Sequence, residues 1–292
     1  MPELPEVETI RRQLEPEIVG RRIEAIEVLD PRWTEPVPAR GVEAAGAGRR
    51  IEALGRRGKY LLLGIEDDRW LVMHLRMTGN LVLVAGDGGV EPRFLRVVIR
   101  LDDGRRLLFT DARRFGTGVI VEGDQLEDYL RPRAGIEPLS DELTAEALGR
   151  LAAGRRAPLK SFLLVQAGIA GIGNIYADEA LWRARLHPLS PAGSMRPEHW
   201  EALRAGIVET LEAGLANGGA SIDDYRDARG EQGTMQDEFL VHTREGLPCP
   251  RCGETIRRIV LGGRSTYFCP GCQTRLRRRR PTSRRRTTAF TP

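Results

Sequence analysis

The chain has 292 residues, 41% apolar and 29% charged, which is long enough for two domains with cores of their own. It contains no apolar run of the ~18 residues that a membrane-spanning helix needs. The start, Met1-Pro2-Glu3-Leu4-Pro5-Glu6, lacks the basic opening and apolar centre of a secretion signal, so a cytoplasmic protein is expected.

The net charge of +4 is unevenly placed: residues 274–292 hold eight Arg and no acid, whereas residues 1–273 carry 37 basic and 41 acidic side chains. A polyanion-binding surface on the body must therefore come from local clustering, while the Arg-rich end is expected to be a disordered tail that attracts nucleic acid without sequence preference or only aids solubility. Of the 45 basic residues only Lys59 and Lys160 are Lys. Lys can release its proton when its surroundings lower its pKa and Arg cannot, so both positions are candidates for a required amine.

Along the chain, Val7, Ile10, Leu14 and Ile18 follow Pro5 at helical spacing, with Glu6 and Glu8 in the first turn. From residue 21 to 122 the pattern changes to short alternating or apolar runs at 23–28, 60–65, 70–75, 80–84, 97–101, 106–110 and 118–121, divided by Gly and Asp turns. This predicts an antiparallel β-domain. Residues 131–138 read as a linker, and 141–215 return to helical periodicity. Residues 218–249 are polar and Gly-containing in their first half, which suits a mobile loop.

Cys249-Pro250-Arg251-Cys252 and Cys269-Pro270-Gly271-Cys272 are two C-x2-C knuckles sixteen residues apart, the spacing of a zinc ribbon. One structural Zn2+ on four thiolates is expected; two disulfides are the alternative, disfavoured in an intracellular chain. The intervening hairpin, strands at 255–260 and 265–268, would present Arg264 at its tip to a phosphate.

Pro2 invites removal of the initiator Met, which would leave a secondary amine with a pKa of about 8 as the first group. Such an amine is a nucleophile that can form an iminium with an aldehyde-like carbon, with Glu3 beside it as acid or base. Residues 1–9 (MPELPEVET), Gly58-Lys59-Tyr60-Leu61-Leu62, His74-Leu75-Arg76-Met77-Thr78-Gly79, Asp111-Ala112-Arg113-Arg114-Phe115-Gly116, Gly171-Ile172-Gly173-Asn174-Ile175-Tyr176-Ala177 and the four Cys occur in that order. Together they resemble the formamidopyrimidine-DNA glycosylase family of bifunctional DNA-repair enzymes, over residues 2 to about 273.

The resemblance implies an α+β chain. An N-terminal antiparallel β-sandwich with a leading helix would occupy 1–131, a linker 132–139, a helix-two-turns-helix domain with a lesion-covering loop (about 218–236) 140–245, the zinc ribbon 246–273 and the tail 274–292. It implies excision of 8-oxoguanine and formamidopyrimidines from a flipped-out nucleotide in duplex DNA. Pro2 would attack the sugar, Glu3 assist at the ring oxygen, Lys59 donate a proton and Arg264 bind phosphate through a β,δ-elimination, with Glu6 in support. Met77, Arg113 and Phe115 would fill the vacated stack. His74, Arg155, Lys160 and Asn174 would contact the backbone, Asn174 as the N-cap of a helix at 175–184 whose free amides hold phosphate. Nothing calls for an obligate oligomer, so a monomer is expected.

The chain departs from the family pattern at Phe94, where many relatives have histidine nearby, at Val165, where an acid is common, and in its tail. Two other readings are open: the endonuclease VIII branch, which acts on oxidised pyrimidines, and a noncatalytic DNA-binding homologue. The continuation Glu3-Leu4-Pro5-Glu6-Val7-Glu8 and the length of the loop at 221–233 favour the purine branch, and the retained Pro2 and Glu3 argue against a noncatalytic protein.

Overall fold

Apolar residues at helical spacing behind Pro5 form α1 (Leu4–Ile18), as expected. The computed structural model describes residues 1–86, 92–222 and 224–276. The chain then runs through β1 (Ile23–Val28), α2 (Ala39–Gly46), β2 (Ile51–Arg57), β3 (Tyr60–Ile65), β4 (Arg69–His74), β5 (Gly79–Val84), β6 (Leu95–Leu101), β7 (Arg106–Asp111), β8 (Thr117–Glu122) and α3 (Gly123–Leu130). Helices α4 (Ala145–Ala152), α5 (Leu159–Leu163), α6 (Asn174–Arg183) and α7 (Pro197–Ala216) follow, and a hairpin of β9 (Arg257–Leu261) and β10 (Arg264–Phe268) closes the described fold.

The first eight strands make two antiparallel four-stranded sheets, β1-β6-β7-β5 and β2-β3-β4-β8. Leu61, Leu63, Leu81, Val97, Ile99, Leu107 and Phe109 join Val7, Ile10, Leu14 and Ile18 of α1 in one core, so this is the expected sandwich with its leading helix. Each aliphatic side chain so buried contributes about 1.5–3 kcal/mol. Strand β2 was not expected, because Gly55, Arg56 and Arg57 interrupt its apolar pattern. It forms because β3 pairs with it along its whole length, through Gly55 opposite Leu62 and Arg57 opposite Tyr60.

Helices α4–α7 enclose a second core of Leu148, Phe162, Ile172, Tyr176, Leu181, Leu203, Ile207 and Leu211. Leu4 belongs to this second core, so α1 starts in the helical unit and continues in the sandwich. The stretch at 131–138 has no regular structure yet is firmly tied to the sandwich. Arg56 bridges Glu8 at 3.0 Å and Glu137 at 2.8 Å, and Arg57 donates to the carbonyls of Ala134 and Gly135.

The stretch after α7 packs against other elements. Ala220 bridges to Thr234, and between them Tyr225 and Ala228 are buried in the sandwich core. Asn80 of β5 holds the carbonyl of Asp224 and the N–H of Arg226, while Gln13 of α1 holds Asp227 and the N–H of Ala228. Side chains of two other elements thus satisfy the backbone of a stretch whose polar composition made it look free. Asp223 within the loop and residues 277–292 of the Arg-rich tail lie outside the described residues. No helix among the described residues is long and apolar enough to cross a membrane.

Candidate active site

Glu3 immediately precedes α1 and is almost fully buried. Its carboxylate accepts from the N–H groups of Gly173 at 2.6 Å and Ile175 at 3.0 Å, with Tyr176 at 3.5 Å. A helix N-terminus leaves such donors unpaired and favours negative charge; here a residue 170 positions away supplies both the acceptor and the charge. A Cβ on Gly173 would stand 2.3 Å from the Glu3 carboxyl carbon, so the approach requires glycine there.

The expected cap is corrected: the helix begins at Asn174 with Gly173 as its cap, and Glu3 takes the N–H groups of Gly173, Ile175 and Tyr176. Asn174 lines the same cavity as Glu3 and Arg264, and its side chain donates to the Ser265 carbonyl of β10 at 3.0 Å.

Glu6, one helical turn on, accepts from the Glu3 N–H at 2.8 Å, the Tyr176 hydroxyl at 2.7 Å and the Ala220 N–H at 2.7 Å. Burial, and next the neighbouring Glu3 charge, raise its pKa above the usual carboxylate range. It therefore ties α1, α6 and the docked loop together behind Glu3. Pro2 is buried between Met1 and Glu3, both of which line a cavity of about 560 Å3 with Met77, Asn174, Tyr225 and Arg264.

Lys59 occupies the turn between β2 and β3 and is 5% exposed. Burial pushes its pKa down, opposed by the charges of Glu3 and Glu6 and reinforced by Arg264, so all four groups act on one another. Arg264 stands exposed just after the Gly262-Gly263 turn, whose two positive φ angles suit a tight hairpin. His74 lines a smaller cavity of about 220 Å3 with Lys59, Arg76 and Arg133. Burial, with Arg76 and Lys59 nearby, lowers its pKa to about 3, and its Nδ1 accepts from the Arg76 N–H. The ring is thus neutral at pH 7 with its proton on Nε2.

Met77, Arg113 and Phe115 are all exposed, and the Arg113 guanidinium lies 4.9 Å from the Phe115 ring centre. Asp111 shapes their loop by accepting from the N–H groups of Arg113 and Gly116 and the hydroxyl of Thr78. Phe94 is also exposed, at a positive φ of 66°, with Arg93 and Arg96 guanidinium groups near its ring. Arg155 is exposed, donates to the Leu151 carbonyl at the end of α4, and does not join the group around Glu3.

Lys160 is a correction. It is 1% exposed and pairs with Asp178 at 2.7 Å, with the Ser265 carbonyl and the Thr266 hydroxyl also in reach. Asp178 in turn holds His242. The amine is consumed inside the protein, joining α5 and α6 to β10. Sequence reading missed Asp178, Glu179 and Tyr176, which lie on α6 itself and fasten it to its neighbours. The signal for the first two was the acidic pair Asp178-Glu179 set between the apolar residues Ile175 to Ala177 and Ala180 to Trp182 of one short helix.

The thiols of Cys249, Cys252, Cys269 and Cys272 all lie within 4.8 Å of one another. Cys252 and Cys269 are 3.4 Å apart, Cys249 and Cys272 3.8 Å. Tetrahedral zinc with sulfurs at ~2.3 Å spaces them by about 3.8 Å, so the four fit one structural zinc and no disulfide.

Family models cover most of the chain: the formamidopyrimidine-DNA glycosylase N-terminal domain at residues 1–118, its H2TH domain at 134–226 and a zinc finger found in this glycosylase and in IleRS at 246–275. The formamidopyrimidine-DNA glycosylase of Chloroflexus aurantiacus is 48% identical over 94% of this chain and 98% of its own. The chain belongs to the formamidopyrimidine-DNA glycosylase family. The glycosylase of the same name from Roseiflexus is 45% identical, over 94% of this chain and all of its own. Among solved structures, a Lactococcus lactis glycosylase variant bound to formamidopyrimidine-containing DNA superposes with a TM-score of 0.88 at 36% identity, covering 94% of this chain and all of that one. A family member bound to DNA with a carbocyclic 8-oxoguanine matches with a TM-score of 0.87, also at 36% identity and covering 94% and 100% of the two chains.

Proposed function

We propose that this protein is a base-excision repair DNA glycosylase and abasic-site lyase that removes oxidised purines, 8-oxoguanine and formamidopyrimidines, from duplex DNA. The observation that carries this reading is the burial of Glu3 on the amides of α6, beside Pro2 and facing the same cavity as Arg264. A carboxylate fixed so firmly, next to a residue whose nitrogen becomes a free amine once Met1 is removed, is suited to nucleophilic chemistry at a sugar.

In the reaction the Pro2 nitrogen bonds to the anomeric carbon as the glycosidic bond breaks, and the base leaves with a proton. Glu3 takes the proton that the Pro2 nitrogen loses and passes it to the ring oxygen, so that the C1′–O4′ bond breaks as the iminium forms. Lys59, whose burial eases loss of a proton, supplies the proton. The iminium then acidifies the neighbouring C–H: loss of the C2′ proton expels the 3′ phosphate, and loss of the C4′ proton expels the 5′ phosphate. Arg264 and the Nε2–H of neutral His74 bind phosphate oxygens, while Met77, Arg113 and Phe115 enter the space left by the flipped nucleotide. The zinc supplies no chemistry; its four Cys ligands hold the hairpin that carries Arg264. The protein acts as a monomer on bacterial DNA in the cytoplasm.

Borohydride trapping of the untagged protein on a duplex with one 8-oxoguanine opposite cytosine, followed by mass spectrometry, tests this reading. A crosslink on Pro2 is expected, and its absence on this duplex and on one holding an abasic site overturns the mechanism. A second reading, action on oxidised pyrimidines, is favoured by the Lactococcus lactis relative crystallised with DNA containing such a base. Trapping on an oxidised-pyrimidine duplex alone would favour it.

A further inference from the structure

Trp182, near the C-terminal end of α6, is 7% exposed and packs in a small cluster with Val241, Ile256, Cys249 and Cys269. Its indole Nε1–H donates to the Cys249 sulfur at 3.4 Å. Arg251, inside the same knuckle as Cys249, lies with its guanidinium 3.7 Å from the ring centre and donates to the Trp182 carbonyl at 2.9 Å. The ring is thus gripped by the knuckle on one side and delivers its only polar group to a metal ligand on the other.

We propose that Trp182 is an outer-sphere partner of the zinc site, whose indole N–H offsets part of the charge on the Cys249 thiolate and fixes that ligand's direction. A tetrathiolate site places four negative sulfurs around one dication, so a hydrogen bond to a sulfur relieves excess charge, and a group that orients a ligand raises metal retention. Trp182 is a positioning residue here, and the same helix holds Glu3 at its other end. The structural zinc and the catalytic carboxylate therefore grip opposite ends of one ten-residue helix.

The test uses the full chain loaded with Zn2+, Co2+ or cadmium-113. W182F keeps an aromatic ring and removes the N–H. It should release zinc to a chromophoric chelator about 10–100-fold faster, and the sulfur-to-cobalt charge-transfer band should move to longer wavelength. W200F, which alters a buried Trp packed on Phe162, should change neither. Equal release rates and identical bands for W182F and the native chain overturn the proposal. Should W182F fail to fold, the native chain with cadmium-113 decides: scalar coupling between the metal and one indole proton is expected, and its absence refutes the hydrogen bond.

Discussion

Both oxygens of the Glu3 carboxylate are held by backbone N–H groups, so replacing it by Gln leaves the side chain's shape almost unchanged while removing the charge that α6 holds. E3Q should lose at least about 100-fold in single-turnover excision of 8-oxoguanine, with lesion-DNA affinity within a few-fold; a native rate would disprove the role of Glu3. Two neighbours set the acid limit of stability. His74 has a folded pKa of about 3 against an ordinary 6.5, so its contribution is complete above pH 6.5 and declines as the pH falls towards 3. Glu8, buried but hydrogen-bonded by Arg11 and Arg12 and faced by Arg56, has a folded pKa of about 2 against 4.5. Its contribution, about 3 kcal/mol, is complete above pH 4.5 and is lost towards pH 2. Urea unfolding across pH 3–7 should show E8Q less stable than the native protein near neutrality and with a flatter curve below pH 4.5. Pro2, Glu3, Lys59 and Arg264 were legible as candidates because motif order carries them. That Lys160 faces inward was not legible, because burial of an amine depends on Asp178 arriving from another helix.

Among the elements, α6 does most to position the site, and its start depends on a missing side chain. G173A would drive a methyl group into the Glu3 carboxyl group. The expected result is a loss of excision similar to that of E3Q with DNA binding largely retained, checked by single-turnover kinetics and a binding titration side by side. The ribbon hairpin depends on its metal. Removing zinc should lower affinity for lesion duplex by about 10-fold or more, while the circular dichroism of the sandwich persists, since metal sites of this kind fold around the ion. The helix at α6 and the hairpin at β9–β10 were both legible in the sequence, from glycine spacing and from the Cys knuckles. Strand β2 and the short helices α2 and α3 were not, because β2 is stabilised by pairing with β3 and carries a broken apolar pattern of its own.

Across the whole molecule, the sandwich and the helical unit are joined by α1, by the docked loop and by Arg56 between Glu8 and Glu137. R56M strips that bridge; Glu8 keeps Arg11 and Arg12, while Glu137 loses its cation and keeps the Gly58 N–H. A loss of about 1.5–3 kcal/mol is expected in urea unfolding; a change under about 0.5 kcal/mol, the scale of an ordinary surface substitution, would show that the bridge is not structural. Ending the chain at residue 276 removes seven of the eight tail Arg. If the tail engages phosphates, the slope of log affinity against log salt should become shallower, by about 0.9 for each phosphate that the tail had neutralised, and an unchanged slope would assign the tail no part in binding.

The sequence by itself determined the order of elements, the zinc ligands and the chemical inventory of the site, because period, spacing and motif are local properties written in consecutive residues. Only the tertiary structure decided that Glu3 takes the N–H groups of Gly173, Ile175 and Tyr176, that Lys160 is a buried strut, that Tyr225 and Ala228 are docked in the sandwich core and that Trp182 reaches a zinc ligand. Each of these depends on which distant group arrives to satisfy a donor, an acceptor or a charge, and such pairings form only when the chain closes on itself.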